Sequence, residues 1–337
     1  MSTTQVGTAL ILGAVLLDRL IGDPSWLLHP VVVMGWWIQR LRRCAEDWAG
    51  DQPFRLRLSG GVITLTLVLG SGSVGWCLER LIWLPAPWPW FGNLVLTIGL
   101  ASALAARSLA VSVRSVLEAL PSEATADLTP ARQKLAWIVG RDVERLDEAG
   151  ILRAAAETAS ENAVDGIFAP LFWMGIGLLI WAFVPTGPGP LALAWAFKAS
   201  STLDSMLGYK HGRLRWLGTA GARLDDLLTW LPCRLVMLTL PLVSRPWTSW
   251  FALVSAAERD GASDPSPNAG RSEAIYAHCA GVRLGGRNRY TRGWVEKPIL
   301  AADQPPADGA GVHRILGLSL RLQCLWLLCL TLLALPQ

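Results

Sequence analysis

Apolar and polar positions alternate along this chain in long blocks rather than at short period. Apolar runs cover residues 6–21, 60–84, 91–113, 168–184, a stretch opening at Leu227, and 315–335. A helix needs about 20 apolar residues to cross the hydrocarbon core of a bilayer. The runs 60–84 and 91–113 are predicted to cross as a hairpin, turned by PAPWPW, whose tryptophans suit the headgroup region. The run 168–184 ends in PTGPGP and restarts over 191–197 as a second hairpin; the stretch from Leu227 turns at SRPW and resumes only over 248–257; 315–335 closes the chain as a span. The first run is short for a span and carries Asp18 and Arg19 near its end, before helix-breaking Gly22, Pro24 and Pro30. The expected fold is an all-α, polytopic integral membrane bundle, treated as a single domain over 1–337.

Four polar segments remain, at about 23–59, 113–166, 198–226 and 258–314, and they hold 24 of the 30 Lys and Arg residues. Hairpins put all four on one side, and only Arg80 and Arg245 lie near the opposite turns. The positive-inside rule therefore predicts cytoplasmic polar segments and both termini outside. Within the second segment a helix cap is expected at Thr129 before Pro130, and a turn at Gly140–Asp142.

Composition agrees: 52% hydrophobic residues, mean hydropathy +0.37 and 17% charged residues are too apolar for an ordinary soluble domain. A net charge of +4 gives no indication of nucleic acid. The six cysteines are scattered without a CxxC pair, which argues against a zinc site or a disulfide framework. No removable signal peptide is expected from the first run.

Chemistry concentrates where polar sequence meets apolar sequence, above all in ETASENAVDGIFAP (157–170). At 100° per residue Glu157, Glu161 and Asp165 share one helix face, with Arg153 one turn earlier. Spacing alone favours a solvated face with an i, i+4 ion pair. Asp18 with Asp23, and Asp225 with Asp226, are further carboxylate pairs of the type that binds magnesium together with substrate phosphates. No P-loop, HExxH or Ser-His-Asp order is present, and GVRLGG alone is too weak for a phosphate cradle. Arg outnumbers Lys 26 to 4, and Arg141 and Arg223 stand out because each adjoins an acidic motif. His29 reads either as a general base or as a hydrogen-bonded interface residue.

Four stretches, LDRLIGDPSWLLHPVVVMG, IVGRDVERLDEAGILRAAAETASENAVDGIFAPLFW, KASSTLDSMLGYKHGRLRWLGTAGARLDDLLTWLPCRL and DPSPNAGRSEAIYAHCAGVRLGG, resemble in order the adenosylcobinamide-phosphate synthase family of cobalamin biosynthesis, the CobD/CbiB proteins. The resemblance implies an acid–amine ligase of the bacterial inner membrane, with its site on cytoplasmic segments. It implies joining aminopropanol, or its O-phosphate, to a propionate carboxyl of adenosylcobyric acid to give adenosylcobinamide phosphate, consuming ATP with Mg2+. Corrinoid and amine substrates, the lipid bilayer and other cobalamin-biosynthesis enzymes are the implied partners. On the motif positions, Glu157, Glu161 and Asp165 with Asp225 or Asp226 are expected to hold magnesium and the ATP phosphates. Arg141, Lys198 and Arg223 would neutralise phosphoryl charge, and Asp23 or His29 would accept a proton from the amine. Asn162, Asp204, Tyr209, Lys210, Ser266, Asn268, Gly270, Gly285 and Gly286 are expected to contact substrate or phosphate. The chain departs from the family pattern before PSPNAG, where Ser263 and Asp264 replace a basic pair, and after it, where Arg271 replaces a common Trp. Arg271 and Arg287 are expected to compensate in phosphate binding. A transporter would account for charges within apolar runs, and a scaffold for other corrinoid enzymes is a third reading, but both leave the extramembrane acidic clusters unexplained.

Overall fold

A computed structural model describes residues 2–24, 26, 28–84, 88–121, 127–244, 247–290 and 293–334, with the side chain of Trp247 excepted. In chain order the helices are α1 (Thr3–Leu20), α2 (Pro30–Ala49), α3 (Pro53–Glu79), α4 (Pro89–Ala101), α5 (Ala106–Glu118), α6 (Thr129–Ala136), α7 (Glu148–Ala163), α8 (Ala169–Phe183), α9 (Pro190–Leu207), α10 (Leu214–Leu217), α11 (Thr219–Thr239), α12 (Trp250–Gly261) and α13 (Ala269–Ala280). A hairpin of β1 (Leu284–Tyr290) and β2 (Gly293–Leu300) follows, and α14 (Gly309–Leu333) ends the described chain. Pro at the first turn opens α2, α3, α4 and α9, where its missing N–H is no loss.

Among the described residues five helical stretches are long and apolar enough to cross a membrane: Pro53–Trp83, Pro89–Glu118, Glu148–Phe183, Thr219–Val243 and Gly309–Leu333. The protein is an all-α, multi-pass membrane protein, as the hydropathy blocks require. At 12 residues, α12 is too short to cross, which answers the question left by 248–257. Four details differ from expectation. The run 91–113 is interrupted between α4 and α5. The N-cap of α6 is Leu128 rather than Thr129, and Asp127 Oδ1, one residue before it, accepts from the Thr129 N–H at 2.9 Å. The hairpin is β-structure inside the fourth polar segment. A π-helical turn over Val164–Phe168, which contains Asp165, joins α7 to α8. Pro85 and Pro87 of PAPWPW, and Arg245 and Pro246 of SRPW, lie outside the described residues.

The chain divides into two compact units. One comprises Met1–Ala105, Ala169–Thr229 and Leu327–Gln337. Its core is apolar: Ile38, Leu56, Ile63, Leu67, Leu203 and Leu217 form one buried cluster from α2, α3, α9 and α10. Small residues set the crossing of α3 with α9, since a Cβ on Gly75 would come within 2.8 Å of the Ala192 Cα. The carboxylate of Glu79, fully buried at the end of α3, accepts from the N–H groups of Gly189 (2.7 Å), Leu191 (2.8 Å) and Ala192 (3.1 Å), the orphan donors at the start of α9.

The other unit comprises Ala106–Phe168 and Trp230–Trp326. Here α12 and α13 pack together, and their approach depends on Gly261 and Gly270: a Cβ on Gly261 would meet the Gly270 carbonyl oxygen at 2.6 Å. The hairpin lies against α7, α12 and α13. Its strands pair antiparallel, with a bulge at Gly285/Gly286 where both residues take positive φ, +80° and +91°. A side chain at Gly285 would also strike the Pro298 carbonyl, so only glycine serves there.

Candidate functional site

The charged residues of the second unit converge where α7, the 140–142 bend, α13 and the hairpin meet. Glu157 is 1% exposed. Its Oε2 pairs with Nη2 of Arg141, and its Oε1 accepts from the Gly285 N–H at 2.8 Å, with Nε of Arg153 3.9 Å away. Asn288, one residue past Arg287 on β1, ties the arginines together: its Oδ1 accepts from Arg141 Nη1 (2.7 Å) and Arg153 Nη2 (3.1 Å). Arg153 also donates to the carbonyls of Gly285 (2.9 Å) and Arg287 (3.0 Å). Two guanidiniums binding one carboxylate and one amide oxygen give a rigid, charge-assisted network that holds β1 on α7.

A second group adjoins it. Nζ of Lys297, on β2, lies 3.0 Å from Oε1 of Glu273 on α13 and 3.7 Å from Oδ2 of Asp264, and it feels the charge of Glu161. Burial pushes the Glu273 carboxyl up to about 8 against the pull of Lys297, with the charges of Glu161 and Glu157 adding to the rise. Burial alone would lower the Lys297 ammonium, but the attraction of Glu273, Glu161 and Asp264 outweighs it and holds that pKa above the ordinary value. Burial thus favours the protonated form of Glu273, while the surrounding acids favour the charged form of Lys297.

The sequence-predicted residues divide accordingly. Arg141, Glu157, Glu161 and Gly285 are brought together, while Asn162 faces outward from α7. Ser266 organises the PSPNAG turn: its Oγ accepts from the N–H groups of Asn268 (3.3 Å) and Ala269 (3.2 Å), and its own N–H donates to Asp264 (2.9 Å). Asn268 accepts through Oδ1 from Arg234 at 2.7 Å, and Gly270 serves the α12–α13 crossing. Arg271, expected to bind phosphate, is instead held in a fork by Glu258 (2.6 and 2.8 Å). Arg287 stacks on the Trp294 ring with its guanidinium 4.3 Å from the ring centre.

In the first unit, Nδ1 of His29 accepts from the Val31 N–H (3.3 Å) to cap α2, and Nε2 faces Asp23 at 3.2 Å. Of the two ring nitrogens, Nδ1 makes the hydrogen bond, while Nε2 has an ion-pair approach to Asp23 but no hydrogen-bond partner among the described residues. Lys198 and Asp204 lie on α9, and Arg223, Asp225 and Asp226 on α11. Tyr209 and Lys210 are exposed. Gly208 donates its N–H to the Asp204 carbonyl at 2.7 Å and ends α9.

Glu157 does not fit its expected role as a magnesium ligand. Both oxygens of Glu157 are committed to Arg141 and Gly285, which leaves neither free as a metal ligand. Among the described residues no group of three or more His, Cys, Asp and Glu is arranged to hold a metal ion. Asn288, Lys297 and Glu273 are the participants for which spacing assigned no role, whereas Arg153 was placed by spacing as an i, i+4 partner of Glu157. A period-two reading of GRNRY, with Arg287 and Arg289 alternating with a buried Asn288, would have marked both the strand and its inward residue.

The model of the family described as CobD/Cbib protein matches residues 11–319, a stretch that includes residues of both units. A cobalamin biosynthesis protein CobD of Synechocystis sp. is 42% identical over 319 residues, covering 94% of this chain and 89% of the relative. CobD of Pelobacter propionicus is 41% identical, covering 82% and 80%. A cobalamin biosynthesis protein CbiB of Salmonella typhimurium is 39% identical, covering 86% and 85%. No solved structure matches. Matched along almost its whole length by the family model and by relatives near 40% identity, the chain belongs to the CobD/CbiB family of cobalamin biosynthesis proteins.

Proposed function

We propose that this protein is the ligase that joins aminopropanol, as its O-phosphate or free, to a propionate carboxyl of adenosylcobyric acid, yielding adenosylcobinamide phosphate or cobinamide. The observation that carries the reading is the family match over residues 11–319, with the four motif stretches present in order. A carboxylate is a poor electrophile at neutral pH, so the reaction needs activation, for which ATP is the proposed co-substrate. Transfer of the γ-phosphoryl group to a carboxylate oxygen releases ADP and leaves an acyl phosphate. The amine nitrogen then attacks the acyl carbon, the C–N bond forms, and the C–O bond to phosphate breaks with its electron pair leaving on inorganic phosphate. The ammonium proton passes to a base.

The residues that suit the phosphate end are Arg141 and Arg153, whose fixed forks favour oxyanions. Magnesium accompanies ATP in this proposal, but with Glu157 committed to arginine no step is routed through a protein-bound metal. Placing the polar segments in the cytoplasm, with the protein in the inner membrane, gives the site access to ATP. The test is turnover by purified protein given adenosylcobyric acid, ATP, Mg2+ and each amine, reading ADP and the corrinoid product. Coupling without ATP sinks the acyl phosphate, and absence of product with either amine sinks the reaction.

A further inference from the structure

The Arg141–Glu157 network offers more donors than its carboxylate uses. Three donor groups from three stretches of chain lie within 4 Å of the Glu157 carboxylate, Arg141 Nη2, the Gly285 N–H and Arg153 Nε, and Asn288 joins both guanidiniums through its Oδ1. Only the first two make hydrogen bonds to Glu157. Nε of Arg153 is buried without a hydrogen-bond partner among the described residues, and so is Nδ2 of Asn288, a residue 2% exposed. The amide orientation is not arbitrary: Oδ1 already accepts from two guanidiniums, so the unused end must be the N–H2 donor. A buried donor left unmatched is costly, and two such donors in one arginine–carboxylate network are capacity that a larger oxyanion could use.

Charge supports the same reading. The neighbouring acids Glu161, Glu273 and Asp264 face Lys297, leaving Arg141 and Arg153 with Glu157 as their close anionic partner. A simple buried ion pair needs one guanidinium. The Gly285 N–H is fixed by the backbone, since its positive φ and the Pro298 carbonyl behind it allow no other residue and no rotation away. Arginine forks combined with a backbone N–H at a left-handed glycine are a recurrent phosphate-binding chemistry. At 26% exposure, the Arg153 side chain is where solvent reaches the network.

We infer that Arg141, Arg153, Asn288 and the Gly285 N–H form a cradle for a phosphate monoester, and that Glu157 is an internal carboxylate filling it until the phosphate displaces it. The inference deepens the proposed reaction and rests on it only for the source of the phosphate, the amine donor or ATP. It turns Glu157 from the expected metal ligand into the group that competes with substrate.

The experiment measures binding of inorganic phosphate, aminopropanol O-phosphate and ATP to the full-length protein in detergent by calorimetry, in wild type, Glu157→Gln and Arg153→Gln. Removing the competing charge should tighten inorganic phosphate binding about tenfold in Glu157→Gln, and losing charge-assisted donors should weaken it about tenfold in Arg153→Gln. Unchanged phosphate affinity in a folded Glu157→Gln protein overturns the inference. Should that variant not fold, the partly exposed Arg153→Gln decides alone, and unchanged affinity there overturns it equally. A shift in the aminopropanol O-phosphate arm assigns the cradle to the amine donor, and one in the ATP arm to the nucleotide. Phosphate binding that responds to both variants, in a protein that makes no corrinoid product, would retain the cradle and reject the proposed reaction.

Discussion

Two glutamates, one in each unit, solve the same problem in opposite ways. Glu79 and Glu157 are both buried within the long apolar helical stretches, and each bridges segments more than a hundred residues apart in sequence. Glu79 takes its partners wholly from backbone, three N–H groups at the start of α9, and so stands in for the residue that would otherwise cap that helix. Glu157 hydrogen-bonds one arginine and one N–H from a hairpin, while Arg153 Nε, 3.9 Å away, and Asn288 Nδ2 in the same network make no hydrogen bond. A backbone-satisfied carboxylate has nothing to give up to a ligand. One held by side chains that exceed its capacity has an exchangeable place. The difference separates a carboxylate that builds the bundle from one positioned for chemistry.

The largest expected effect comes from leaving a buried charge alone. Arg141→Ala strips Glu157 of its principal partner and should destabilise the protein by about 3–5 kcal/mol, read as loss of the thermal transition or of folded yield in detergent. A wild-type transition would mean that Glu157 is not the charged centre of the network. Glu79→Gln keeps one acceptor but sets an amide N–H2 against backbone donors, and should cost about 1–3 kcal/mol while leaving phosphate affinity at the wild-type value. A change in that affinity would erase the contrast between the two glutamates.

The third test concerns pH. The folded-state pKa of Glu273, pushed up to about 8 from an ordinary 4.5, means that the folded protein binds this proton more tightly than the unfolded chain does. Its stabilising contribution is complete below about 4.5 and is lost as pH rises through about 8. Glu273→Gln should flatten the decline of thermal stability across that window, and an unaltered slope would show that another group governs it. The smallest effect is expected from Arg271→Ala. Its partner Glu258 is half-exposed, so the pair should contribute roughly 0–1 kcal/mol, and phosphate affinity should not move because the fork is already occupied by Glu258. Weaker phosphate binding in this variant would restore the compensating role expected from its departure from the family pattern.

How much of the site was legible follows from what each signal measures. The row Glu157, Glu161 with Arg153 one turn earlier was visible because helical period fixes which side chains share a face, and the Arg153–Glu157 pair is present at 3.9 Å. That the face is buried rather than solvated was not visible, because burial is imposed by α13 and a hairpin more than a hundred residues away. The π turn that carries Asp165 is likewise a local departure that no hydropathy pattern encodes. Glu79 passed unnoticed for the complementary reason: a single acid at the end of an apolar run has no motif, and its meaning lies in the three N–H groups it meets.

Hydropathy blocks and motif order by themselves determined that this is a helical multi-pass membrane protein of the CobD/CbiB family, because lipid tolerates only long apolar helices at that composition and motif order is carried by the chain itself. Only the tertiary structure decided the partners of each acid. A carboxylate alone in sequence is ambiguous among metal ligand, helix cap and ion pair, and the choice depends on which donors distant segments bring to it. For Glu157 those donors are Arg141 and a glycine N–H that only a bulged hairpin could aim at it.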